Sequence, residues 1–503
     1  MQIVLSATFG LSTLGLTTVG DSLALYLNGT TGYLLYDNGT SNGVSALSLG
    51  AVSDAGSGFM TPEDLASTSF TALQPGVGLT VQETGSVTRL FSYDASGTVM
   101  TQVIGTNGLP GTASAAVADG GTLTGVGTFE ILGGATGTQA ALSFGQAPGL
   151  KIFTLATSGV LTHQADIADT AKSYLGNVSD TLSVTLGGAD YLLTLSSLEG
   201  GITSLSVDAK GHASLIDSLG TIDGLALSGA SALQAVEVAG TTFAVIASTN
   251  SSSLTVVRVN DMGCLFATDT VYDDTATRFS HPEVLDTFSW AGRSFVVSGG
   301  SDAGLSVFEI RPDGKLISFA TGVFETGAGL AAITGIEAAV SSAGVDFYVV
   351  DASNQKISDF SMDLSTTGGL IVAAGGTTTG TTTGTALGDF IWGGTGAQSL
   401  NGGAGDDFIY DGTGADTLTG GTGADVFLFA ADGTDDKISD YELHKDKIDV
   451  SDWGRIYSAS SLVVTQTATG ATIVWGSQSI TLTSVDGKGI AASSFTDADF
   501  IFS

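Results

Sequence analysis

The sequence predicts an all-β chain with two domains, and two periodicities carry that expectation. Short segments of alternating apolar and polar residues recur about every 52 residues over the first three quarters of the chain. Near residue 384 a nine-residue period of Gly and Asp takes over. Composition agrees: 72 Gly and only 6 Pro among 503 residues supply turns without implying a collagen-like or Pro-rich disordered chain. Fifteen Lys and Arg against 50 Asp and Glu leave a formal charge of -35. That excludes nucleic acid or an anionic membrane as the main partner, since both need clustered cations. No apolar run approaches ~18 residues, so no membrane span is expected. The single cysteine, Cys264, excludes an intrachain disulfide and reads as a small apolar strand residue.

Within the longer period, a recurring phrase marks each unit: GLKIFTL at 149–155, GITSLSV at 201–207, SLTVVRV at 253–259 and GLSVFEI at 304–310. A turn with Gly at a fixed offset follows each copy, at Gly159, Gly211, Gly263 and Gly314. Looser copies lie at 43–49, 86–92 and 356–362, which makes seven units. The unit around 285–320 splits into LDTFSWAG, RSFVVSGG, GLSVFEIRPDG and KLISFATG, four alternating segments between Gly-containing turns. Four short strands per unit at this period predict a β-propeller blade, and seven units predict a seven-bladed ring over 1–372. The first strand-like segment, MQIVLSATF, has no unit of its own and is expected to add a strand to the last blade. Extra sequence at 100–135 is expected to be a surface excursion. The phrase GLSVFEIRPDGKLI resembles the repeats of lactonase-type seven-bladed propellers. That resemblance implies blade architecture and says little about activity.

Residues 373–383 lie in a Gly/Thr-rich stretch with no apolar period, a linker between domains. From 384 to 503 a second domain is expected. It opens with GTALGDFIW, GGTGAQSLN, GGAGDDFIY, DGTGADTLT and GGTGADVFL, which follow the pattern G-G-x-G-x-D-x-U-x. This pattern marks a calcium-binding parallel β-roll. Six residues make a tight turn and three a short strand. The glycines allow positive φ, and calcium takes six to eight oxygens from carbonyls and carboxylates. The block resembles the repeats-in-toxin (RTX) domain of type I secreted proteins. The resemblance implies ions held between alternate turns. It places Asp389, Asp407 and Asp425 on one edge and Asp416 on the other. Carbonyl donors would be Gly403, Gly405, Gly412, Gly414, Gly421 and Gly423. Gln398 and Leu387 depart from the pattern and put their turns in doubt. The apolar positions Ile391, Leu400, Ile409, Leu418 and Phe427 would form a thin core. The following DKISDYELHKDKIDVSDW resembles the segment after the roll in serralysin-type proteins, which makes Asp436 and Asp440 further calcium ligands.

Sixteen Asp and one Glu occur from 384 to 503, a bias toward the shorter carboxylate that a tight ion-binding turn needs. The chain ends Asp499-Phe500-Ile501-Phe502, which resembles the C-terminal signal of type I secretion substrates. With no basic N-terminal leader, the resemblance implies a secreted, extracellular protein exported by the type I machinery. Calcium outside the cell would then supply folding energy.

The propeller holds no HExxH or G-x-S-x-G motif. Its densest chemical loop, YDDTATRFSHPEV, carries Asp273, Asp274, Arg278, His281 and Glu283. A general acid–base role for His281 is one reading; an ordinary polar loop is the other. GGSDAG at 299–304 only approaches the nucleophile-elbow pattern, and Ser301 reads as a turn residue. Further loop acids, Asp54, Glu63, Asp64, Asp166, Asp169 and Asp223, suggest an acidic rim. Three roles remain open: a binding or adhesive module for a glycan or cell-surface protein, a self-assembling surface structure, or a lactonase-type hydrolase. One chemical loop is too few for convergent catalysis, so binding or structure is favoured, and catalytic residues stay unassigned.

Overall fold

The computed structural model describes residues 3–10, 23–28, 31–37, 44–51, 78–84, 87–93, 99–105, 110–117, 123, 125–132, 139–145, 147–302, 304–323, 333–351, 356–373 and 381–502. It divides into two compact units, Met1–Ser289 with Ser294–Asp363, and Trp290–Arg293 with Leu364–Ser503.

The first unit is a β-propeller built from antiparallel sheets that follow one another along the chain. The sheet of Val178–Leu186, Ala189–Ser196, Gly201–Val207 and Ala213–Gly220 is typical. Six sheets have four strands, against the seven blades expected. The unit of Leu23–Asn28, Thr31–Asp37 and Val44–Ala51 has three strands among the described residues. The segment from 52 to 77 lies outside the described residues, and with it Asp54, Glu63 and Asp64. Ile3–Gly10 pairs antiparallel with Lys356–Asp363, so the last sheet takes its outer strand from the start of the chain. The stretch at 100–135 is not the surface excursion expected: it holds Met100–Val103, the short Ser114–Ala115 paired with it, and Val126–Leu132, the largely buried first strand of the next sheet, because its apolar residues complete two blades.

Turn chemistry explains the regular period. Gly159, Gly211, Gly263 and Gly314 have φ of 82°, 76°, 77° and 86°. Each donates its N–H to the carbonyl three residues earlier, on Ala156, Asp208, Asn260 and Arg311. In three blades the first hairpin turns through two left-handed residues: Gly187-Gly188, Ala239-Gly240 and Ala291-Gly292. That is the turn type whose twist matches paired strands.

Apolar clusters span neighbouring blades, as where Leu193 and Ile202 share a core with Leu233 and Ile246. Half-buried carboxylates then fasten blade to blade. Asp180 accepts from Leu233 N–H at 2.7 Å, Asp286 from Ala338 N–H at 2.8 Å and Glu130 from Ser183 N–H at 2.8 Å. On the outermost strands Asp217 accepts from Leu265 N–H and Asp269 from Leu316 N–H. Each of these staples spans about one repeat. They give partners to backbone groups on blade edges that no further strand covers.

The second unit is a two-sheet parallel roll. One sheet runs Thr367–Val372, Gly388–Trp392, Phe408–Tyr410, Val426–Leu428, Lys447–Asp449 and Phe500–Ile501. The other begins Thr381–Thr383, Ser399–Ala404, Thr417–Thr422 and Asp435–Tyr441. It ends in Gln478–Ser484, Gly470–Trp475 and Val463–Gln466. The sequence assigns residues up to 372 to the propeller, but Thr367–Val372 pairs in parallel with Gly388–Trp392. Thr381–Thr383 of the expected linker likewise pairs with Ser399–Asn401. Ile391, Leu400, Ile409, Leu418 and Phe427 are wholly buried and form the core between the sheets. The terminal signal residues are folded into this unit. Asp499 is 1% exposed and accepts from His444 N–H and Thr496 N–H. Among the described residues no helix is long and apolar enough to cross a membrane.

Candidate functional site

Parallel pairing sets each turn of the roll over the turn two repeats later, as in Phe390 beside Phe408 beside Val426. The turn carboxylates therefore stack in two columns. Asp389 N–H donates to Asp407 Oδ1 at 2.7 Å, Asp407 N–H to Asp425 Oδ1 at 3.0 Å, and Asp425 N–H to Asp446 Oδ1 at 3.1 Å. In the other column Gln398 N–H donates to Asp416 Oδ1 at 2.5 Å and Asp416 N–H to Asp436 Oδ1 at 2.8 Å. One oxygen of each acceptor is thus tied to the backbone. The second oxygens of Asp407 and Asp416 are buried and have no hydrogen-bond partner among the described residues.

Electrostatics makes that arrangement expensive without a cation. Burial first, then the neighbouring Asp425, Asp389 and Asp406 charges, pushes Asp407 up to about 7. Burial, with the Asp436 and Asp432 charges behind it, pushes Asp416 up to about 7. Asp425 and Asp436 rise to about 6, burial again leading. Like charges stacked in a dry turn favour protonation unless a positive charge enters.

The glycines are demanded by contact as well as by backbone. Gly403, Gly405, Gly412, Gly414, Gly421 and Gly423 all have positive φ, between 87° and 146°. A Cβ on Gly421 would stand 2.0 Å from Gly403 O, and one on Gly402 would stand 2.2 Å from Asp407 Oδ2. Only bare backbone lets carbonyls and carboxylates crowd so closely.

The residues present fit calcium: hard oxygen donors, two orphaned buried carboxylate oxygens and turns that permit inward carbonyls. Among the described residues no three carboxylate, imidazole or thiolate groups gather as a metal cluster, so backbone carbonyls would have to supply most of the coordination. Asp389, Asp407, Asp416, Asp425 and Asp436 stand in the columns. Asp440 lies close enough for its charge to act on Asp425 and Asp446; its oxygens accept from Gly420 and Gly421 N–H, as those of Asp389 accept from Gly369 and Thr385 N–H. Gln398 keeps the turn by accepting from Gly394 N–H, without the charge. Leu387 is exposed at its irregular turn.

Three acids escaped the sequence reading. Asp446 extends the first column after an insertion breaks the period. Asp411 is 1% exposed, accepts from Ala430 N–H and is pushed up to about 9, chiefly by burial. Asp432 accepts from Gly414 N–H and from Thr434, and its hydrogen bonds hold its pKa down against burial. The DKID phrase and the Asp in place of a first-position Gly are the signals that could have found the first two.

The propeller's chemical loop proves to be a copy of another loop. Thr277 Oγ1 donates to Asp273 Oδ1, and Phe279 N–H donates to the same oxygen. Two periods upstream Ser173 Oγ and Leu175 N–H donate to Asp169 Oδ1 in the same pattern. His281 has φ 52° and its Nδ1 lies 3.5 Å from Ser301 Oγ. Two periods upstream Asn177, at φ 53°, donates from Nδ2 to Ser197 Oγ at 3.0 Å. The His–Ser pair therefore occupies a corner that the repeat builds without a histidine. Among the described loop acids, Asp166 meets His163 and Lys151, while Asp223 lies in the loop after 213–220; the structure gathers no shared acidic site from them.

Residues 384–427 match the RTX calcium-binding nonapeptide repeat family in four copies. The chain thus carries RTX calcium-binding repeats behind a propeller, and the repeats are a calcium-binding motif. No curated protein matches it. Solved structures similar to it include a protein of Lactobacillus plantarum, 16% identical, covering 63% of this chain and 91% of that one, at a TM-score of 0.44. A periplasmic gluconolactonase of Pseudomonas aeruginosa is 15% identical, with coverage of 66% and 88% and a TM-score of 0.45.

Proposed function

We propose that this is a secreted protein whose roll folds by binding calcium outside the cell and whose propeller is an extracellular binding module. The observation that supports it most is the pair of carboxylate columns, each with a buried oxygen that no group among the described residues serves. Calcium would supply the divalent charge that such columns lack. Asp389, Asp407, Asp416, Asp425 and Asp436 would hold it, together with the carbonyls of the positive-φ glycines. Inside the cell, where free calcium is scarce, the same columns would repel and keep the roll open for export. The type I secretion machinery is the partner this implies.

A hydrolase reading has less support. Its best loop repeats scaffold contacts found where no histidine stands. The test is a calcium titration of the chelator-stripped full chain, with circular dichroism and particle mass read together. A rise of β signal over submillimolar to millimolar calcium is expected. A roll equally folded in chelator would overturn the reading. Growth into large assemblies would make the propeller a structural tile instead of a binding module.

A further inference from the structure

The repeat supplies its own control: a polar group that recurs at each period serves the blade, whereas one that occurs once needs another reason. The loop before Val178–Leu186 shares its backbone contacts with the loop two periods on, but its side chains hold such an exception. The ring of Tyr174 lies flat across two strand-end glycines. A Cβ on Gly201 would stand 2.3 Å from its Cγ and Cδ2, and one on Gly220 would stand 2.5 Å from its Cζ and Oη. Its N–H donates to Thr203 Oγ1 at 2.8 Å, and the neighbouring Leu175 is 1% exposed, so the ring is pinned from below. The residue itself stays half-buried.

Two carboxylates stand by this ring, close enough that both add to burial in raising the Tyr174 pKa. Each is locked by one oxygen only. Glu199 Oε2 accepts from Gly176 N–H at 2.7 Å, and Asp223 Oδ2 accepts from Gly220 N–H at 2.9 Å. Their other oxygens have no donor among the described residues. One period downstream the equivalent places hold Ala226, Ser251, Tyr272 and Thr275 for Tyr174, Glu199, Gly220 and Asp223. Two periods downstream Arg278 takes the place of Tyr174, packing its Cβ and Cγ over Gly304 and donating its N–H to Ser306 Oγ, so the backbone corner belongs to the repeat and only the side-chain set of Tyr174, Glu199 and Asp223 is particular to this loop. Leu198 and Ile222, next to the two acids in the chain, are 72% and 86% exposed.

We infer that Tyr174, Glu199 and Asp223 form a saccharide-binding subsite, with the apolar face of a neutral pyranose stacked on the tyrosine and its hydroxyls donating to the two fixed carboxylates. A rigid aromatic floor gives contact area at little entropic cost, and pre-oriented acceptors reward a hydroxyl donor. An anionic sugar is disfavoured by the two carboxylates and by a chain of charge -35. The site deepens the binding-module reading of the propeller and rests on it. It does not depend on the roll.

The experiment uses the calcium-loaded full chain and four neutral probes: maltoheptaose, cellohexaose, xylohexaose and chitohexaose. Saturation-transfer NMR reports which sugar protons touch the protein, and calorimetry reports affinity. At least one probe should bind, with its ring C–H protons receiving most saturation. Tyr174→Ala should weaken it roughly tenfold or more, while Tyr174→Phe keeps most of the affinity. Glu199→Gln and Asp223→Asn, which retain an acceptor for the backbone N–H, should each weaken binding several-fold. Arg278→Ala, in the repeated loop, should leave it unchanged. No binding by any probe, or binding that Tyr174→Ala leaves intact, overturns the inference. A chain that folds on calcium yet binds no probe loses this subsite alone. Failure of the calcium titration would leave the subsite standing.

Discussion

Replacing Asp180 with alanine tests whether the propeller is held by its interblade carboxylates. Asp180 accepts from Thr181 N–H at 2.8 Å and from Leu233 N–H at 2.7 Å. Those two residues are 6% and 3% exposed, so truncation strands two buried donors. Each unsatisfied buried donor costs ~1–3 kcal/mol, and a water drawn into the gap would recover some of it. The expected loss is about 2–4 kcal/mol. Urea unfolding followed by hydrogen-exchange mass spectrometry reads it on peptides covering 178–186 and 230–238, apart from any calcium effect in the roll. A loss below ~0.5 kcal/mol, or protection unchanged in both peptides, would refute the staple as a source of stability. The same group sets a pH trend. Burial pushes Asp180 up to about 7 and Glu130 up to about 8, whereas unfolded carboxyls titrate near 4. Above pH ~4 the unfolded chain therefore releases protons that the folded propeller still holds. The contribution of both groups is fully present below pH ~4 and is lost as pH rises to about 7 and 8. Asp180→Asn removes its share, so stability measured from pH 4 to 8 should fall less steeply in that variant.

Other outcomes follow from the roll and from the repeated corner. Asp407→Asn removes one charge from the first column and should raise the calcium midpoint of β-structure formation about tenfold, read by circular dichroism; an unmoved midpoint would take Asp407 out of the ligand set. Gly421→Ala places a methyl 2.0 Å from Gly403 O at φ 100°, so the calcium-loaded roll should lose ~2–4 kcal/mol in denaturant unfolding. Phe427→Ala empties a wholly buried core position and should cost ~3–5 kcal/mol by the same measurement. His281→Asn should change propeller stability by less than ~0.5 kcal/mol because Asn177 already holds the equivalent corner, whereas His281→Val should cost ~1–2 kcal/mol at φ 52°. Equal costs for the two would mean that the histidine ring, not its backbone, matters there.

The features legible in sequence are those whose cause is local. Gly159, Gly211, Gly263 and Gly314 announce the blade period because each must take a left-handed turn. The nonapeptide announces the roll because one turn stacks on another 18 residues on, using the same residue types each time. The core positions from Ile391 to Phe427 follow from the same spacing. The closing strand at Ile3–Gly10 was readable from what was left over once the units were counted. The domain boundary was not, since Thr367–Val372 carries ordinary strand residues and only its partner shows which sheet owns it.

Fold class, the calcium motif and the residue types that crowd each turn were thus written in the chain. The role of each acid emerged only on folding. Asp180, Glu130 and Asp286 read in sequence like any solvated carboxylate, yet each is half-buried and bonded to a backbone N–H of the next blade. Asp446 joins the Asp425 column only after an insertion is folded away. Tyr174 becomes a platform only because Gly201 and Gly220, 27 and 46 residues later in the chain, arrive beneath it. A polar side chain has the same local sequence signal whether it faces water or a distant backbone. Ring closure and strand stacking bring the partner, and with it the role.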